Sequence, residues 1–203
     1  VALLFANTPA AMAPWGGRKA LFGTDPIAFA APRSGGHSPI VVDVSLSKVA
    51  RGKIMAAEQK GASIPEGWAL DTEGQPTTDA KAALAGTMIP LGDAKGTALA
   101  LMVELLAAGL LGANYGYEAS SFFDGEGQSP GVGQLLIALH PQAFSDTALH
   151  RIDDLADAIA NQPGARLPGA RREEIRRKAS REGLNVDDEL LSQIDSLGRT
   201  VNV

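Results

Sequence analysis

The chain has 203 residues, 45% of them hydrophobic and 20% charged, which is ordinary for a globular protein with a substantial core. Its formal net charge of -5 argues against nucleic acid as the main partner, because phosphate binding needs an excess of Lys and Arg. The absence of cysteine excludes a disulfide framework and Cys-ligated zinc, and it suits a reducing cytoplasm. No signal peptide or membrane segment is evident, so we expect a cytoplasmic protein.

The first third of the chain predicts strands that are separated by loops. Apolar runs at 1–6 and 27–32 enclose a Pro- and Gly-rich loop, and a β-branched run follows at 39–44. Asp43 near the end of that run either caps the next helix or accepts a hydrogen bond from a sugar hydroxyl. Arg51, in a helical segment that lasts until Gly61, is either a surface arginine or a bidentate ligand of a substrate carboxylate.

A turn-rich excursion then leads to the stretch around which we organise the interpretation. A short helix opens at Asp79 and closes at Gly86, and the glycine-bracketed turn at 92–96 runs into an apolar helix that continues to Gly112. We expect Thr97 to be the N-cap of this helix. The helix is apolar on every face, which predicts burial in a domain or at a subunit interface, and we consider it too short and too broken by glycine to span a bilayer.

Lys95 lies in that turn, and two interpretations of it are open. It is either a solvated lysine or a charge that holds an anion beside the free N–H groups at the start of the helix.

The last third predicts a Gly-rich loop, one strand and three helices. The loop at 114–133 is either a lid or a subunit contact, and a strand follows at 134–139. Helical patterns cover 153–161, 171–181 and 187–197. The second of these helices is basic, and a solvated face with Glu–Arg pairs explains it better than nucleic-acid binding, because no recognition helix is evident.

Several nucleotide and catalytic motifs are absent. No G-x-G-x-x-G follows a strand, and the sequence contains no Walker A, H-E-x-x-H or G-x-S-x-G pattern. Three histidines, scattered along the chain, argue against a histidine metal cluster, so we predict no metal site. The residues alone indicate a ligand-binding α/β domain.

Eight strings, in order along nearly the whole chain, carry a resemblance to a known family. They are A-P-W-G-G at 13–17, L-F-G-T-D-P-I-A-F at 21–29, V-V-D-V-S at 41–45, V-A-R-G-K-I at 49–54, I-P-E-G-W-A-L-D at 64–71, P-T-T-D at 76–79, G-D-A-K-G-T-A-L-A-L-M-V-E at 92–104 and R-L-P-G-A-R-R at 166–172. The chain resembles the type-2 malate/L-lactate dehydrogenases, a family that includes ureidoglycolate dehydrogenase, sulfolactate dehydrogenase, 2,3-diketogulonate reductase and the piperideine/pyrroline-2-carboxylate reductases.

The resemblance implies a fold, an activity and an assembly. The fold is α/β (α+β), a mixed, largely antiparallel sheet flanked by helices that binds NAD(P) without a Rossmann motif. The implied domains are an NAD(P)-binding core at 1–144 and a helical segment at 145–203 that packs on an N-terminal domain. The implied reaction is hydride transfer between NAD or NADP and a small 2-hydroxy or 2-oxo carboxylic acid, in a homodimer that binds neither nucleic acid nor membrane.

The resemblance also assigns site residues. Those implied to contact substrate are Thr24, Arg51 and Gly52. Those implied to contact the cofactor are Asp43, Val44, Ser45, Ala94, Lys95, Pro168, Gly169, Ala170 and Arg171, with Arg172 as a further phosphate partner. The chain departs from the family pattern at two of these positions, since Ala94 stands where relatives commonly carry His or Tyr and Ala170 stands where they usually carry Glu.

The catalytic proton donor is expected elsewhere. In the family it is a histidine, with Ser and Arg companions, from an N-terminal segment that this sequence does not contain. We therefore expect the chain to be the C-terminal portion of such an enzyme and to be inactive alone. Two alternatives stay open: a reductase of cyclic imino acids, and a non-catalytic dimerisation or binding module that keeps the fold.

Overall fold

The computed structural model describes the backbone of residues 1–199 and the side chains of residues 1–197. The strands are β1 Ala2–Ala6, β2 Ile27–Ala31, β3 Ile40–Val44, β4 Ala69–Leu70, β5 Pro76–Thr77, β6 Thr87–Met88 and β7 Gln134–Ala138. The helices are α1 Arg51–Gln59, α2 Ala80–Ala85, α3 Ala94–Ala107, α4 Ala148–Ala160, α5 Ala170–Glu182 and α6 Asp188–Arg199.

The main sheet has the order β3-β2-β1-β7, and every pair of neighbours in it is antiparallel. Its strands are rich in β-branched and aromatic residues, which pack well on a pleated surface. Leu3 of β1 lies opposite Phe29 of β2 and Ile137 of β7, and Phe29 in turn lies opposite Val42 of β3. The predicted antiparallel sheet flanked by helices is therefore confirmed.

A smaller sheet with the order β5-β4-β6 forms within the segment that the sequence shows only as turns. Ala69 of β4 pairs with Thr77 on one side and with Met88 on the other. Asp79 caps α2 as expected, because its carboxylate accepts hydrogen bonds from the backbone N–H groups of Lys81 and Ala82. This small sheet adds Ala69 and Met88 to the hydrophobic core.

Helix α3 packs against β1 and β7 through one face. The buried positions are Gly96, Ala100, Val103, Glu104 and Ala107. Their spacing of three or four residues places them on one stripe of the helix. Burial within the domain holds for this face only, because Leu99, Leu101 and Leu105 on the rest of the helix are 41%, 48% and 52% exposed on the described chain. The alternative of a subunit interface stays a prediction.

The bilayer argument based on helix length is also wrong. The 18 residues Ala94–Leu111, which include a short 3-10 turn after α3, are long and apolar enough to cross a membrane by length and composition. A third of this window is buried, and the core helix of a water-soluble domain meets the same criterion. The buried, hydrogen-bonded Glu104 within it makes the packing against β1 and β7 the simpler explanation.

Local details at two helix starts differ from expectation. Thr97 is not the N-cap of α3. It lies inside the helix, where its hydroxyl accepts a hydrogen bond from the backbone N–H of Trp15 at 2.8 Å. Asp93 occupies the N-cap position without a side-chain capping bond. Helix α1 begins at Arg51 and not directly after β3. The reason is that Ser47, in the intervening segment, forms an antiparallel bridge with Pro90 before α3, so its backbone is extended.

The chain divides into two compact units, Val1–Ala158 and a second that begins at Ile159. The first contains both sheets and α1–α3, and Arg33 ties α4 to it through Asp153 and Asp157, each at 2.9 Å. The second contains α5 and α6. Asp187 accepts a hydrogen bond from the backbone N–H of Glu189 at the start of α6, as expected of a capping residue. The division at residues 144 and 145 stays a prediction.

Gly133→Ala tests the close packing between the end of α3 and the residue that precedes β7. A Cβ at Gly133 would lie 1.9 Å from the carbonyl oxygen of Ala107, so we expect a loss of about 1–3 kcal/mol in the free energy of unfolding, measured by urea denaturation. Gly125→Ala is the control, because a Cβ there meets no atom within 4 Å. Equal stabilities of the two variants would contradict this packing.

Asp153→Asn tests the attachment of α4. Hydrogen bonds from Ser34 and Arg33 lower the pKa of Asp153 from 3.8 to about 2, so the ionised form stabilises the fold. That stabilisation is complete above the unfolded pKa and is lost as the pH falls towards 2. We expect the wild type to exceed the variant in thermal stability at pH 6 and this difference to shrink between pH 4 and pH 2. The exposed Asp146→Asn serves as control, and a difference independent of pH would refute the ion pair.

Candidate active site

Leu46, two residues after the end of β3, is the backbone junction that brings three of the predicted groups together. Its N–H donates to the carbonyl of Thr24 at 2.7 Å, and its carbonyl accepts from the N–H of Leu91 at 2.7 Å. Ser47 pairs with Pro90 in the same antiparallel arrangement. The segment 43–45 therefore runs beside the turn at 92–95, with Thr24 joined to the other side of Leu46.

The predicted cofactor residues of the first unit lie at the surface around this junction. Asp43, Val44, Ala94 and Lys95 are exposed, and Ser45 is half-buried with its hydroxyl accepting a hydrogen bond from Ser47 at 3.2 Å. Lys95 forms no ion pair with any described residue. The structure thus joins Asp43–Ser45 and Ala94–Lys95 into one exposed patch.

The glycines of the turn before α3 have different roles. Gly92 adopts a φ of 61° and makes the tight turn, next to Asp93 with a φ of 59°. Gly96 is required by packing, because a Cβ there would lie 2.2 Å from the carbonyl oxygen of Leu91. Gly96 therefore serves the contact within the protein rather than the close approach of a ligand.

A cavity of about 300 Å³ lies beside Thr24 and Arg51. It is lined by Thr8, Pro9, Ala10, Ala11, Thr24, Arg51, Gly116, Tyr117, Ala119, Ser121, Phe122 and Phe123. Two of the three predicted substrate residues thus share one cavity. Gly52 lies next to Arg51 in the first turn of α1 but is exposed and does not line the cavity.

Arg51 is the one cation among the residues that line this cavity. Its Nε is buried and has no hydrogen-bond partner among the described residues. Its guanidinium carbon lies 5.7 Å from the centroid of the Phe123 ring, a distance suited to a cation–π contact. Burial lowers the pKa of the guanidinium, because desolvation disfavours its charge. An anion in the cavity would supply the missing counter-charge.

A polar network lies behind the cavity, and sequence reasoning missed it. The buried carboxylate of Glu104 accepts hydrogen bonds from Asn7 Nδ2 at 3.2 Å, from the N–H of Gly116 at 3.2 Å and from the N–H of Gly23 at 3.5 Å. The signal for it in the sequence is a single glutamate inside the apolar run of α3. Desolvation still raises the pKa of Glu104, although these donors oppose the shift.

Asp25 is the second missed residue, adjacent to Thr24 in the string G-T-D-P. It is fully buried, its φ is 40°, and neither carboxylate oxygen has a hydrogen-bond partner of good geometry among the described residues. Burial, and then the charge of Glu104, raise the pKa of Asp25 to about 8, although backbone N–H groups of Thr8, Asp25 and Gly23 lie near enough to oppose the rise. From sequence alone, an aspartate followed by a proline indicates an ordinary turn, so nothing in the sequence marks Asp25 as buried.

The remaining predicted cofactor residues, Pro168–Arg171, form a local group in the second unit. Gly169 has a φ of 84° and precedes the first residue of α5, Ala170. Pro168, Gly169 and Arg171 line a shallow surface depression with Arg166, Leu167, Arg172 and Ile175. Across the described residues, no three or more His, Cys, Asp or Glu side chains are arranged to hold a metal ion.

Comparison with known proteins identifies relatives of the chain. A family model described as malate/L-lactate dehydrogenase matches residues 1–195. A (2R)-3-sulfolactate dehydrogenase (NADP(+)) from Chromohalobacter salexigens is 56% identical over 194 residues, which cover 96% of this chain and 58% of the relative. A Δ1-pyrroline-2-carboxylate/Δ1-piperideine-2-carboxylate reductase from Pseudomonas aeruginosa is 45% identical over 201 residues, covering 97% of this chain and 60% of the relative.

Solved structures agree with the sequence relatives. The crystal structure of a Δ1-piperideine-2-carboxylate reductase from Pseudomonas syringae pvar. tomato superimposes with a TM-score of 0.87 at 38% identity, covering 97% of this chain and 59% of the other. The chain thus spans about 60% of the length of these relatives. Because the family model matches nearly all of its length, the chain belongs to the malate/L-lactate dehydrogenase family.

Proposed function

We propose that the protein is an NADP-dependent oxidoreductase that transfers a hydride between the nicotinamide and a small 2-hydroxy or 2-oxo acid. The observation that carries this proposal is Arg51, a cation in a cavity whose described lining offers it no carboxylate. A planar guanidinium suits the two oxygens of a substrate carboxylate. The hydroxyls of Thr8 and Thr24 in the same cavity add neutral hydrogen-bonding groups beside that charge.

The exposed patch of Asp43–Ser45 and Ala94–Lys95 suits a dinucleotide. Polar backbone, a Ser hydroxyl and one lysine lie together at the start of α3, where free N–H groups favour a phosphate. Considered by itself, the group Pro168–Arg171 of the second unit offers an arginine that suits a phosphate. The choice of NADP follows from the name of the relative from Chromohalobacter salexigens. When bound, the nicotinamide supplies the site that gives or takes the hydride.

The chain's own residues would bind and orient the substrate. Arg51 holds the carboxylate, Thr24 fixes a second oxygen, and the rings of Tyr117, Phe122 and Phe123 limit the access of water. Oxidation of a 2-hydroxy acid also releases the hydroxyl proton to a base. No histidine lines the cavity in the described part of the chain, so the proton-transferring histidine of the family stays a prediction.

The substrate class has two candidates. The 56% identity to a sulfolactate dehydrogenase supports (2R)-3-sulfolactate as the first. The reductase relatives support a cyclic imino acid as the second, and an apolar ring with a single carboxylate suits a cavity with one arginine and three aromatic rings. Comparing kcat/KM for 3-sulfopyruvate with that for Δ1-pyrroline-2-carboxylate, each with NADPH, decides between them.

We propose in addition a homodimer in the cytoplasm. The exposed leucines of α3, among them Leu99, Leu101 and Leu105, support a subunit contact on that helix, because large apolar side chains clustered at the surface mark interfaces. A non-catalytic module remains the alternative, and it predicts that the protein shows no saturable binding of NADPH or NADH.

Arg51→Ala tests the carboxylate site in the intact protein. Losing a charged partner of a buried anion costs about 2–4 kcal/mol, so we expect KM for 3-sulfopyruvate to rise roughly 30- to 1000-fold, with NADPH oxidation followed by absorbance. Arg51→Lys should restore only part of the affinity, because lysine lacks the planar fork. The exposed Lys60→Ala on the end of the same helix is the control, and an unchanged KM in Arg51→Ala would refute the role.

Lys95→Ala tests the cofactor patch. Removing a charged hydrogen bond to phosphate costs about 1.5–3 kcal/mol, so we expect the Kd for NADPH, measured by fluorescence titration, to rise roughly 10- to 150-fold. The exposed Lys81→Ala on α2 should bind NADPH as the wild type does. Equal affinities of wild type and Lys95→Ala would mean that Lys95 is only a solvated lysine.

A further inference from the structure

The wall of the ligand cavity rests on a crowded junction behind Thr8 and Thr24. A Cβ added at Gly23 would lie 2.2 Å from Thr8 Oγ1, 2.3 Å from the carbonyl oxygen of Thr8 and 2.6 Å from Asp25 Oδ1. A Cβ added at Gly116 would lie 2.8 Å from the Thr8 carbonyl oxygen and 2.8 Å from Glu104 Oε1. Only glycine fits either position, so oxygen atoms from three residues converge on this small space.

Hydrogen bonds fix the threonines to this junction. The N–H of Thr24 donates to Thr8 Oγ1 at 2.9 Å, and the two threonine hydroxyls lie 3.5 Å apart. The carbonyl of Thr24 accepts from the N–H of Leu46, which leads to the cofactor patch. A shift of the turn at 23–25 would therefore displace both hydroxyls at the cavity wall.

Asp25 occupies the centre of the junction in a strained conformation. Its φ of 40° is uncommon for a residue with a side chain, although Asp and Asn tolerate it best. Its carboxyl is fully buried, borders the same space beside Gly23 as the oxygen atoms of Thr8, and has no hydrogen-bond partner of good geometry in the described part of the chain. A buried carboxylate without a hydrogen-bond partner of good geometry is costly, whereas a carboxylic acid is neutral and offers a proton to a nearby acceptor.

Charged neighbours favour the same neutral form. Glu104 on α3 is the titratable group whose charge acts on Asp25, and Glu118 after α3 acts in turn on Glu104. Arg51 faces the cavity side, while the segment of β1 that ends in Asn7 and Thr8 brings no charge. Three donors favour the charged form of Glu104, and that charge disfavours a second negative charge on Asp25.

We propose that Asp25 is a positioning residue for the ligand cavity, whose carboxylic acid holds the Gly23–Thr24 turn against Thr8 so that both threonine hydroxyls meet the bound carboxylate. The ligand part of this inference rests on the proposed function of the cavity. Loss of the proton from Asp25 adds a buried negative charge that Glu104 repels, which loosens the turn and weakens ligand binding. The pH at which this occurs follows the raised pKa of Asp25, about 8.

Asp25→Asn is the matched variant, because the amide is neutral, has nearly the same shape, keeps a hydrogen-bond donor and tolerates a positive φ. Binding of (2R)-3-sulfolactate in the presence of saturating NADPH, a pair that cannot react, is measured by calorimetry from pH 6 to 9.5. Wild type and variant should bind equally at pH 6.5. Between pH 7 and pH 9 the Kd of the wild type should rise on the order of tenfold more than that of the variant, as the protonated fraction falls.

Amide hydrogen exchange gives a readout that needs no ligand. The protection of the Thr24 amide, relative to that of Val103 in the core of α3, should fall in the wild type as the pH passes through 8, because base catalysis cancels in this ratio. In Asp25→Asn the ratio should stay constant. If the ligand binds at no pH while this ratio behaves as described, the proposed function fails and the positioning role stands without a ligand.

Two results would overturn the proposal. Parallel pH profiles of wild type and Asp25→Asn, in both binding and exchange, would mean that the proton of Asp25 has no part in positioning the turn. A folded Asp25→Asn variant that binds (2R)-3-sulfolactate at least tenfold more weakly at pH 6.5 would mean that the site needs the carboxylate rather than the acid.

Discussion

The buried carboxylate of Glu104 is the interaction on which the candidate site depends. Burying an ionised group costs several kcal/mol of hydration free energy, and each hydrogen bond to the charge offsets about 1.5–3 kcal/mol of that cost. Its donors come from the end of β1, the turn before β2 and the loop after α3, through Asn7, Gly23 and Gly116. The cost of leaving the carboxylate without these donors forces the three segments together, and the cavity wall forms where they meet.

The geometry of the site follows from this constraint and from one backbone junction. Thr8 and Thr24 are placed by the segments that Glu104 gathers, and Leu46 connects Thr24 to the exposed patch at the start of α3. Arg51 approaches the same cavity from α1 with its Nε buried. A binding site for a small anion and an exposed surface for a larger ligand are thus neighbours because they share backbone hydrogen bonds.

Much of the fold could be predicted from local sequence patterns, and part of it could not. The β-branched and apolar runs predict β1, β2, β3 and β7, and caps such as Asp79 and Asp187 mark helix starts. The sheet of β4–β6 escaped prediction, because strands of two residues have no periodicity to detect. The prediction that Thr97 caps α3 was wrong, because its hydroxyl accepts a hydrogen bond from the backbone N–H of Trp15, a residue 82 positions away along the chain.

The sequence by itself determined the secondary structure of the longer elements and, through strings spread over its length, the family. It also singled out Thr24 and Arg51, which line one cavity and whose role in substrate binding stays a prediction. Tertiary structure alone decided which face of α3 is buried, that Gly52 lies outside the cavity that Arg51 lines, and that the Asp25 side chain is fully buried. The physical reason is the distance along the chain over which each interaction acts. Capping and periodicity depend on neighbours within a few positions, whereas burial and pKa depend on contacts such as that of Asn7 with Glu104, 97 residues apart.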